Sequence, residues 1–280
     1  MRPWCTSMTL ILTELTSLGI AMAADSAITK DIRKPDGTIG EKVYYGAKKL
    51  FIVPKLRAGI AYWGWVYIPQ PGEDWSSEER KLDLVELWLP YFLEKNKQDY
   101  DSIADLAQLL ESELRERIPR IDPDEYPKGD GGIHLAGYES EGEELLPTFW
   151  HIHNGKSEAL PNKKLDPTIV NANNDIPPEK GKLITEHPGS YAIIRNGDIE
   201  TYIVLSELLF RPDSPFSRIA RRAGLTFPHA TSLEERAKLL NFHINTVAGV
   251  YQFSQEGKGI GGPITRLTIT PERIISYSLE

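Results

Sequence analysis

The chain has 280 residues, of which 40% are hydrophobic and 26% charged, a balance typical of a globular protein with a buried core. Its formal net charge of −8 disfavours a nucleic-acid-binding role, because neutralising phosphates requires a basic surface. Cys5 is the single cysteine, which excludes an intrachain disulfide and a cysteine-rich zinc site. No segment has the roughly 20 uninterrupted apolar residues of a membrane span. These features predict a cytoplasmic protein with neither a membrane nor a nucleic-acid partner.

The first residues imitate a secretory signal. Arg2 is followed by an apolar stretch and by Ala21-Met22-Ala23, which has the form of a cleavage motif. Polar residues interrupt that stretch, and Glu14 is the most costly of them in an apolar helix. We therefore do not interpret this segment as a signal peptide.

Strand patterns dominate the first part of the chain. Runs of β-branched and aliphatic residues predict strands at 9–16, 20–24, 48–53 and 56–65. Gly19 lies in the turn of the first pair, which predicts a hairpin. The charged segment 30–41 contains the turn signal Pro35-Asp36-Gly37, and we interpret it as a surface loop.

Helical and strand patterns alternate in the rest of the chain. Apolar residues at helical spacing predict helices at 82–93, 103–114, 198–210 and 237–251, the last preceded by a capping box at Thr231–Glu234. Strand patterns recur at 133–138, 148–153, 191–195, 264–270 and 273–278. Hairpins that alternate with helix pairs predict antiparallel sheets covered by helices, an α+β layered fold.

Two histidines stand at strand spacing near the middle of the chain. His151 and His153 are two residues apart, so both side chains point to one face of the predicted strand. No third ligand stands at a useful spacing. We therefore interpret them as polar residues of an exposed face and predict no metal site.

The segment 9–26 resembles the first hairpin of proteasome β-type subunits, which are N-terminal-nucleophile (Ntn) hydrolases. Thr9, Gly19 and Ala23-Ala24-Asp25-Ser26 stand at that family's spacing without a gap. The segment 48–51 is similar to the lysine-bearing start of the family's third strand, and 261–270 to its double-glycine strand. The similarity covers the larger part of the chain, with insertions near 30–43 and 156–189.

The resemblance implies a four-layer αββα sandwich, with two antiparallel sheets covered by helices, formed by a single domain over residues 9–280. It also implies that Thr9 is the first residue of the mature protein. Residues 1–8 are then a propeptide or a misassigned start. Translation from Met8 would let methionine aminopeptidase, which accepts a small second residue, expose Thr9.

The same resemblance implies the catalytic residues. The Thr9 hydroxyl would be the nucleophile and its own α-amine the base, because the pKa of such an amine lies near ~8. Lys49, with Lys48 as the competing position, would lower the pKa of the nucleophile, and Asp25 would hold the lysine. Ungapped counting places the oxyanion-binding amide at Trp63, and a shift of one residue places it at Gly64. Asp198 is the candidate for a supporting acid.

The implied activity is that of a threonine-type peptidase or amidohydrolase that acts on a peptide or amide without a cofactor. Self-association, as a homo-oligomer or ring, is the implied partner state. Gly257 and Ile260 stand where the family has an aspartate and a serine. That departure leaves two alternatives open: a non-catalytic proteasome-like subunit, and an Ntn amidohydrolase for a small amide, with Trp63 and Trp65 shaping its pocket.

Overall fold

The computed structural model describes residues 9–33, 36, 38–64, 85–117, 131–153, 191–197, 199–205, 208–209, 214–223, 230–253 and 259–277. The chain is mixed α and β, with antiparallel sheets and helices. Several sequence-based expectations fall outside these ranges: the leader at 1–8, the insertion at 156–189, and Trp65, Asp198 and Gly257.

The strands are β1 (Leu10–Thr16), β2 (Gly19–Ala24), β3 (Ile28–Arg33), β4 (Ile39–Tyr44), β5 (Leu50–Val53), β6 (Ala58–Trp63), β7 (Gly132–Glu141), β8 (Glu144–His153), β9 (Tyr191–Gly197), β10 (Thr265–Ile269) and β11 (Ile274–Tyr277). The helices are α1 (Val85–Lys95), α2 (Ile103–Arg117), α3 (Ile199–Leu205), α4 (Pro215–Arg222) and α5 (Leu233–Gln252).

Within the described ranges, the strands pair into three antiparallel sheets. A five-stranded sheet has the order β11-β10-β2-β1-β9, and a four-stranded sheet has the order β5-β6-β7-β8. The hairpin β3–β4 forms a separate two-stranded sheet. The predicted first hairpin is confirmed, with Thr16 opposite Gly19 at its turn. Gly19 has φ +133°, and an added Cβ would lie 2.6 Å from the Ile269 carbonyl oxygen, so the turn depends on glycine.

In the part of the chain that the structure describes, three apolar clusters show how the sheets and helices pack. One lies between the four-stranded sheet and helices α1 and α2. A second lies between the two larger sheets and includes residues of β1, β2, β6, β9 and β10. The third lies between the five-stranded sheet and helices α3 and α5. Every residue of β1 is buried, because one face of the strand packs against the other sheet and the opposite face against α5.

Two sequence-based interpretations are wrong in detail. The segment 30–41 is not a loop, because β3 and β4 pair from Ile28–Tyr44 to Arg33–Ile39. The predicted turn is confirmed at Asp36, whose carboxylate accepts the backbone N–H of Thr38 at 2.9 Å. Within the described ranges β3 and β4 pair only with each other, so the charged sequence of this segment does not prevent strand pairing.

The capping box of α5 lies one residue later than predicted. Ser232 is the N-cap, and its hydroxyl accepts the backbone N–H of Glu235 at 3.2 Å. The Glu235 carboxylate accepts the backbone N–H of Ser232 at 3.1 Å in return. The reciprocal pair forms at the spacing that the motif requires, but Thr231 precedes it rather than belonging to it.

Pro90 lies within α1, which continues to Lys95.

No helix in the described part of the chain is long and apolar enough to cross a membrane.

A buried ion pair links the five-stranded sheet to α5. The Arg236 guanidinium donates to Glu14 Oε1 at 3.0 Å. Glu14 is 1% exposed, and within the described ranges its second oxygen has no hydrogen-bond partner. Burial therefore raises the pKa of Glu14 to about 7, although the charge of Arg236 acts in the opposite direction.

This pKa predicts how stability depends on pH. The folded-state pKa of about 7 exceeds the ordinary value of 4.5, so the fold favours the protonated acid. The free energy of unfolding of the wild type should fall, relative to that of Glu14→Gln, as the pH rises from about 5 to about 8. Urea unfolding of both proteins across this range measures the difference. A difference that does not change with pH would contradict the assignment.

Candidate functional site

Thr9, Asp25 and Lys49 meet at one end of the two larger sheets. Thr9 precedes β1, Asp25 follows β2, and Lys49 precedes β5. The Lys49 ammonium donates to Thr9 Oγ1 at 2.8 Å and to Asp25 Oδ1 at 2.9 Å. It also donates to the backbone carbonyl of Ala27. Each of the three side chains belongs to a residue that is 1% exposed. The predicted trio is therefore brought into direct contact.

Asp25 is held by backbone amides as well as by Lys49. Its Oδ1 accepts the N–H of Leu10 at 3.1 Å. Its Oδ2 accepts the N–H of Ala27 at 3.1 Å and that of Gly261 at 3.2 Å. The carboxylate thus joins the start of β1, the turn after β2 and the double-glycine segment. A residue at the junction of three chain segments fixes where its lysine partner can lie.

Burial acts on both charges of the pair. Desolvation raises the pKa of Asp25, and Lys49 and the backbone amides oppose that shift. Desolvation also lowers the pKa of Lys49, while Asp25 opposes it. Lys49 can consequently release or accept a proton at a lower pH than an exposed lysine. Lys48 is exposed and lies over the Phe51 ring, so Lys49 is the lysine that reaches Thr9.

Glycine is required beside Thr9. Gly197, the last residue of β9, pairs with Leu10 and has φ +102°. A Cβ added there would overlap the carbonyl oxygen of Thr9. The close approach of β9 therefore limits the movement of the Thr9 backbone on one side of β1. The strand β2, which Asp25 follows, lies on the other side.

The end of β6 offers the two amides considered for oxyanion binding. The Tyr62 N–H donates to the Lys49 carbonyl at 3.1 Å, so it points toward β5. Amides of an antiparallel strand alternate in direction, so the N–H of Trp63 points toward β7, where Trp63 pairs with Gly132. Continued alternation would direct the next amide, that of Gly64, to the Lys49 side, where Gly64 follows the end of β6 with φ +74°. The strand geometry therefore favours Gly64 over Trp63.

A cluster of histidines lies between the two larger sheets. His134 Nδ1 lies 3.0 Å from Thr13 Oγ1, and His134 Nε2 lies 2.6 Å from Asn196 Oδ1. The Trp63 indole N–H donates to His151 Nε2 at 3.3 Å. His134 and His151 make an edge-to-face contact with centroids 5.2 Å apart. We call Thr13, Trp63, His134, His151 and Asn196 the inter-sheet polar cluster.

The cluster corrects the interpretation of His151. The sequence predicted a polar residue on an exposed face, but His151 is 3% exposed. Strand alternation correctly places His151 and His153 on one face, where their rings stack at 4.5 Å. Alternation does not show that a second sheet covers that face. Thr13, His134 and Asn196 were not identified from the sequence, because their contacts join strands far apart in the chain.

Other predicted positions contribute less. Ile260 is 4% exposed and belongs to the apolar cluster between the five-stranded sheet and α5, so it brings no polar group to the site. Asp198 and Gly257 lie outside the described residues. Within the described ranges, no group of three or more His, Cys, Asp or Glu side chains is arranged to hold a metal ion.

No protein-family model matches the chain, and no curated protein matches it significantly.

The close approach at Gly197 predicts a localised sensitivity. Gly197→Ala combines a left-handed φ with overlap of the Thr9 carbonyl, so we expect the free energy of unfolding to fall by more than about 2 kcal/mol. Gly142→Ala is the matched control. Gly142 also has a positive φ, +64°, but an added Cβ meets no atom within 4 Å, so its cost should be about 1 kcal/mol. Equal losses in urea unfolding would contradict the requirement at Gly197.

The buried pair predicts a second effect on stability. Lys49→Met leaves the Asp25 carboxylate buried without its cation, which should cost about 3–5 kcal/mol near neutral pH. The double variant Lys49→Met/Asp25→Asn removes both charges and should recover part of that loss.

The pH dependence of this comparison has a definite sign. Without Lys49, the pKa of Asp25 is raised further by burial, so the single variant is most stable when Asp25 is protonated. The gap between single and double variants should therefore narrow as the pH falls below the Asp25 pKa. A gap that is constant from about pH 4 to about pH 8 in chemical unfolding would contradict the buried-charge account.

Proposed function

We propose that this protein is an N-terminal-nucleophile hydrolase, a divergent relative of proteasome β-type subunits, with Thr9 as its nucleophile. The observation that carries the proposal is the Lys49 ammonium, which lies 2.8 Å from Thr9 Oγ1 and 2.9 Å from Asp25 Oδ1. Two charges buried at 1% exposure around a hydroxyl are costly for stability alone. Such pairs are expected where charge serves chemistry.

The packing supports the fold that the proposal requires. The three apolar clusters lie between helices and one sheet, between the two sheets, and between the other sheet and helices. A four-layer αββα sandwich is the arrangement that has three such interfaces. We therefore propose that architecture for the chain, with Thr9 at the end of the inter-sheet layer.

The hydrogen bonds of Lys49 suit a mechanism with Thr9 as acyl acceptor. An ammonium has three N–H donors, and Lys49 has three acceptors: Thr9 Oγ1, Asp25 Oδ1 and the Ala27 carbonyl. Thr9 Oγ1 accepts from Lys49, so this bond does not use the hydroxyl's own proton. The adjacent positive charge also lowers the free energy of the developing alkoxide.

The base in this mechanism is the α-amine of Thr9, once residues 1–8 no longer precede it. The amine takes the hydroxyl proton as Oγ attacks the amide carbonyl carbon. In this mechanism the tetrahedral oxyanion accepts the Gly64 N–H, the amide that strand alternation assigns to the Lys49 side of β6. The amine then returns its proton to the leaving nitrogen, and water hydrolyses the ester by the reverse proton path.

A second candidate function is that of a non-catalytic subunit of a proteasome-like assembly. Ile260 favours it, because a buried aliphatic side chain stands where the resembling family has a serine. The intact contacts among Thr9, Asp25 and Lys49 favour catalysis instead. Chemical reactivity of Thr9 distinguishes the two.

A mechanism-based label tests the proposed nucleophile. A β-lactone should acylate Thr9 Oγ in the wild type and in Thr9→Ser, which keeps a hydroxyl, but not in Thr9→Ala. Intact-protein mass spectrometry measures the adduct, and peptide mapping locates it. Thr246→Ala is the control, because Thr246 is a partly buried threonine on α5 whose hydroxyl donates to the Phe242 carbonyl at 2.8 Å and takes no part in the candidate site. A wild type that forms no adduct, or a Thr9→Ala protein that forms it equally well, would refute the assignment.

A further inference from the structure

The inter-sheet polar cluster joins the two backbone segments that the proposed mechanism must hold together. We propose that His151, supported by His134, is a positioning residue that holds the Gly64 amide in place opposite Thr9. This inference rests on the proposed function of Thr9. It adds residues that take no part in proton transfer and do not touch the reacting atoms.

At the end of β6, His151 is hydrogen-bonded to the residue that precedes Gly64. Trp63 makes the last pair of β6, with Gly132, and Gly64 follows directly with φ +74°. The Gly64 N–H belongs to the peptide unit that Trp63 begins, so its direction depends on the backbone of Trp63. The indole N–H of Trp63 donates to His151 Nε2 at 3.3 Å. His151 thereby anchors the residue that orients the amide.

The indole has a site built for it. Gly132 lies beneath the indole, where an added Cβ would be 2.8 Å from Trp63 Nε1. Trp63 is 8% exposed and belongs to the apolar cluster between the sheets. A side chain held by packing and by a hydrogen bond keeps one rotamer, and it limits the movement of the strand end that carries it.

On the side of the inter-sheet polar cluster nearer to Thr9, His134 contacts the strands β1 and β9. His134 bridges Thr13 of β1 and Asn196 of β9. Asn196 directly precedes Gly197, which lies against the Thr9 carbonyl. His134 and His151 are paired neighbours on β7 and β8 and contact each other edge to face. The cluster therefore runs from the backbone beside Thr9 to the backbone beside Gly64.

The hydrogen bond from Trp63 fixes the protonation state of His151. Accepting the Trp63 N–H at Nε2 requires the tautomer with hydrogen on Nδ1. Burial, with smaller contributions from His134 and His153, holds the pKa of His151 well below its usual range, so the acceptor is retained at neutral pH. Within the described residues, Nδ1 has no hydrogen-bond partner and is buried.

That unpartnered nitrogen bears on why a histidine occupies the position. A buried polar atom without a partner lowers stability, and an apolar aromatic residue would fill the same layer without that cost. Residues that reduce stability in this way are expected where they serve a site. The bond to Trp63 is the interaction that an apolar substitute would lose.

Two electrophiles separate positioning of the amide from general damage to the site. A β-lactone acylates Thr9 Oγ: the O–C bond forms, a carbonyl oxyanion develops, and the ring C–O bond then breaks to release an alkoxide that takes up the proton. A peptide vinyl sulfone adds Oγ to its alkene carbon, and the proton goes to the adjacent carbon. Only the lactone develops a carbonyl oxyanion, so only its rate depends on the Gly64 amide.

The experiment compares the two inactivation rates in the full chain. We expect His151→Leu to slow acylation by the lactone by at least about tenfold, with its binding constant unchanged, and to leave the vinyl sulfone rate close to that of the wild type. His151→Gln should recover most of the lactone rate, because the Gln side-chain oxygen can accept the Trp63 N–H. Phe149→Leu is the matched control: Phe149 lies on the same face of β8 and packs on His134.

The ratio of the two inactivation rates decides whether His151 positions the Gly64 amide. A lactone-to-vinyl-sulfone rate ratio in His151→Leu equal to that of the wild type, or equal to that of a similarly impaired Phe149→Leu, would overturn the positioning role. If His151→Leu does not fold, Trp63→Phe removes the donor while it keeps an aromatic ring, and the same change in ratio is expected. A wild type that reacts with neither electrophile would refute the proposed nucleophile itself, and the positioning role with it.

Discussion

The ion pair between Lys49 and Asp25 is the interaction on which the candidate site depends. Two opposite charges with almost no exposure are stable only when their remaining hydrogen bonds are satisfied. The chain satisfies them with backbone groups from separate segments: the amides of Leu10, Ala27 and Gly261 bind Asp25, and the Ala27 carbonyl binds Lys49. The third acceptor of Lys49 is the Thr9 hydroxyl. The position of Thr9 thus follows from the geometry of the pair.

The resemblance of segments 9–26 and 48–51 to proteasome β-type subunits predicts the trio Thr9, Asp25 and Lys49, whose side chains are in contact. Thr9, Gly19 and Asp25 lie within one hairpin, so their spacing is determined by strand length and turn type alone. Lys49 directly precedes β5, at the position where the resemblance places the lysine. Contacts that join distant segments left no local pattern. The Gly261 amide on Asp25 and the approach of Gly197 to Thr9 depend on strand order in the five-stranded sheet.

The errors have a common physical cause. A period of two shows which residues share a face of a strand, but not what covers that face. The pattern predicts an exposed face for His151 for this reason, but the side chain is 3% exposed and contacts Trp63 and His134. The charges and the turn signal of segment 30–41 predict a loop, but the segment contributes to the paired strands β3 and β4. The reason is that strand formation depends on the surroundings of a strand more than on its own residues.

The proposed mechanism requires a proton acceptor, the α-amine of Thr9, that exists only when Thr9 is the first residue of the chain. N-terminal peptide mass analysis of the protein produced from its native gene measures this directly. We expect a mature chain that begins at Thr9 with a free α-amine. A mature chain in which residues 1–8 remain attached would contradict the account, because Thr9 would then have an amide in place of its base.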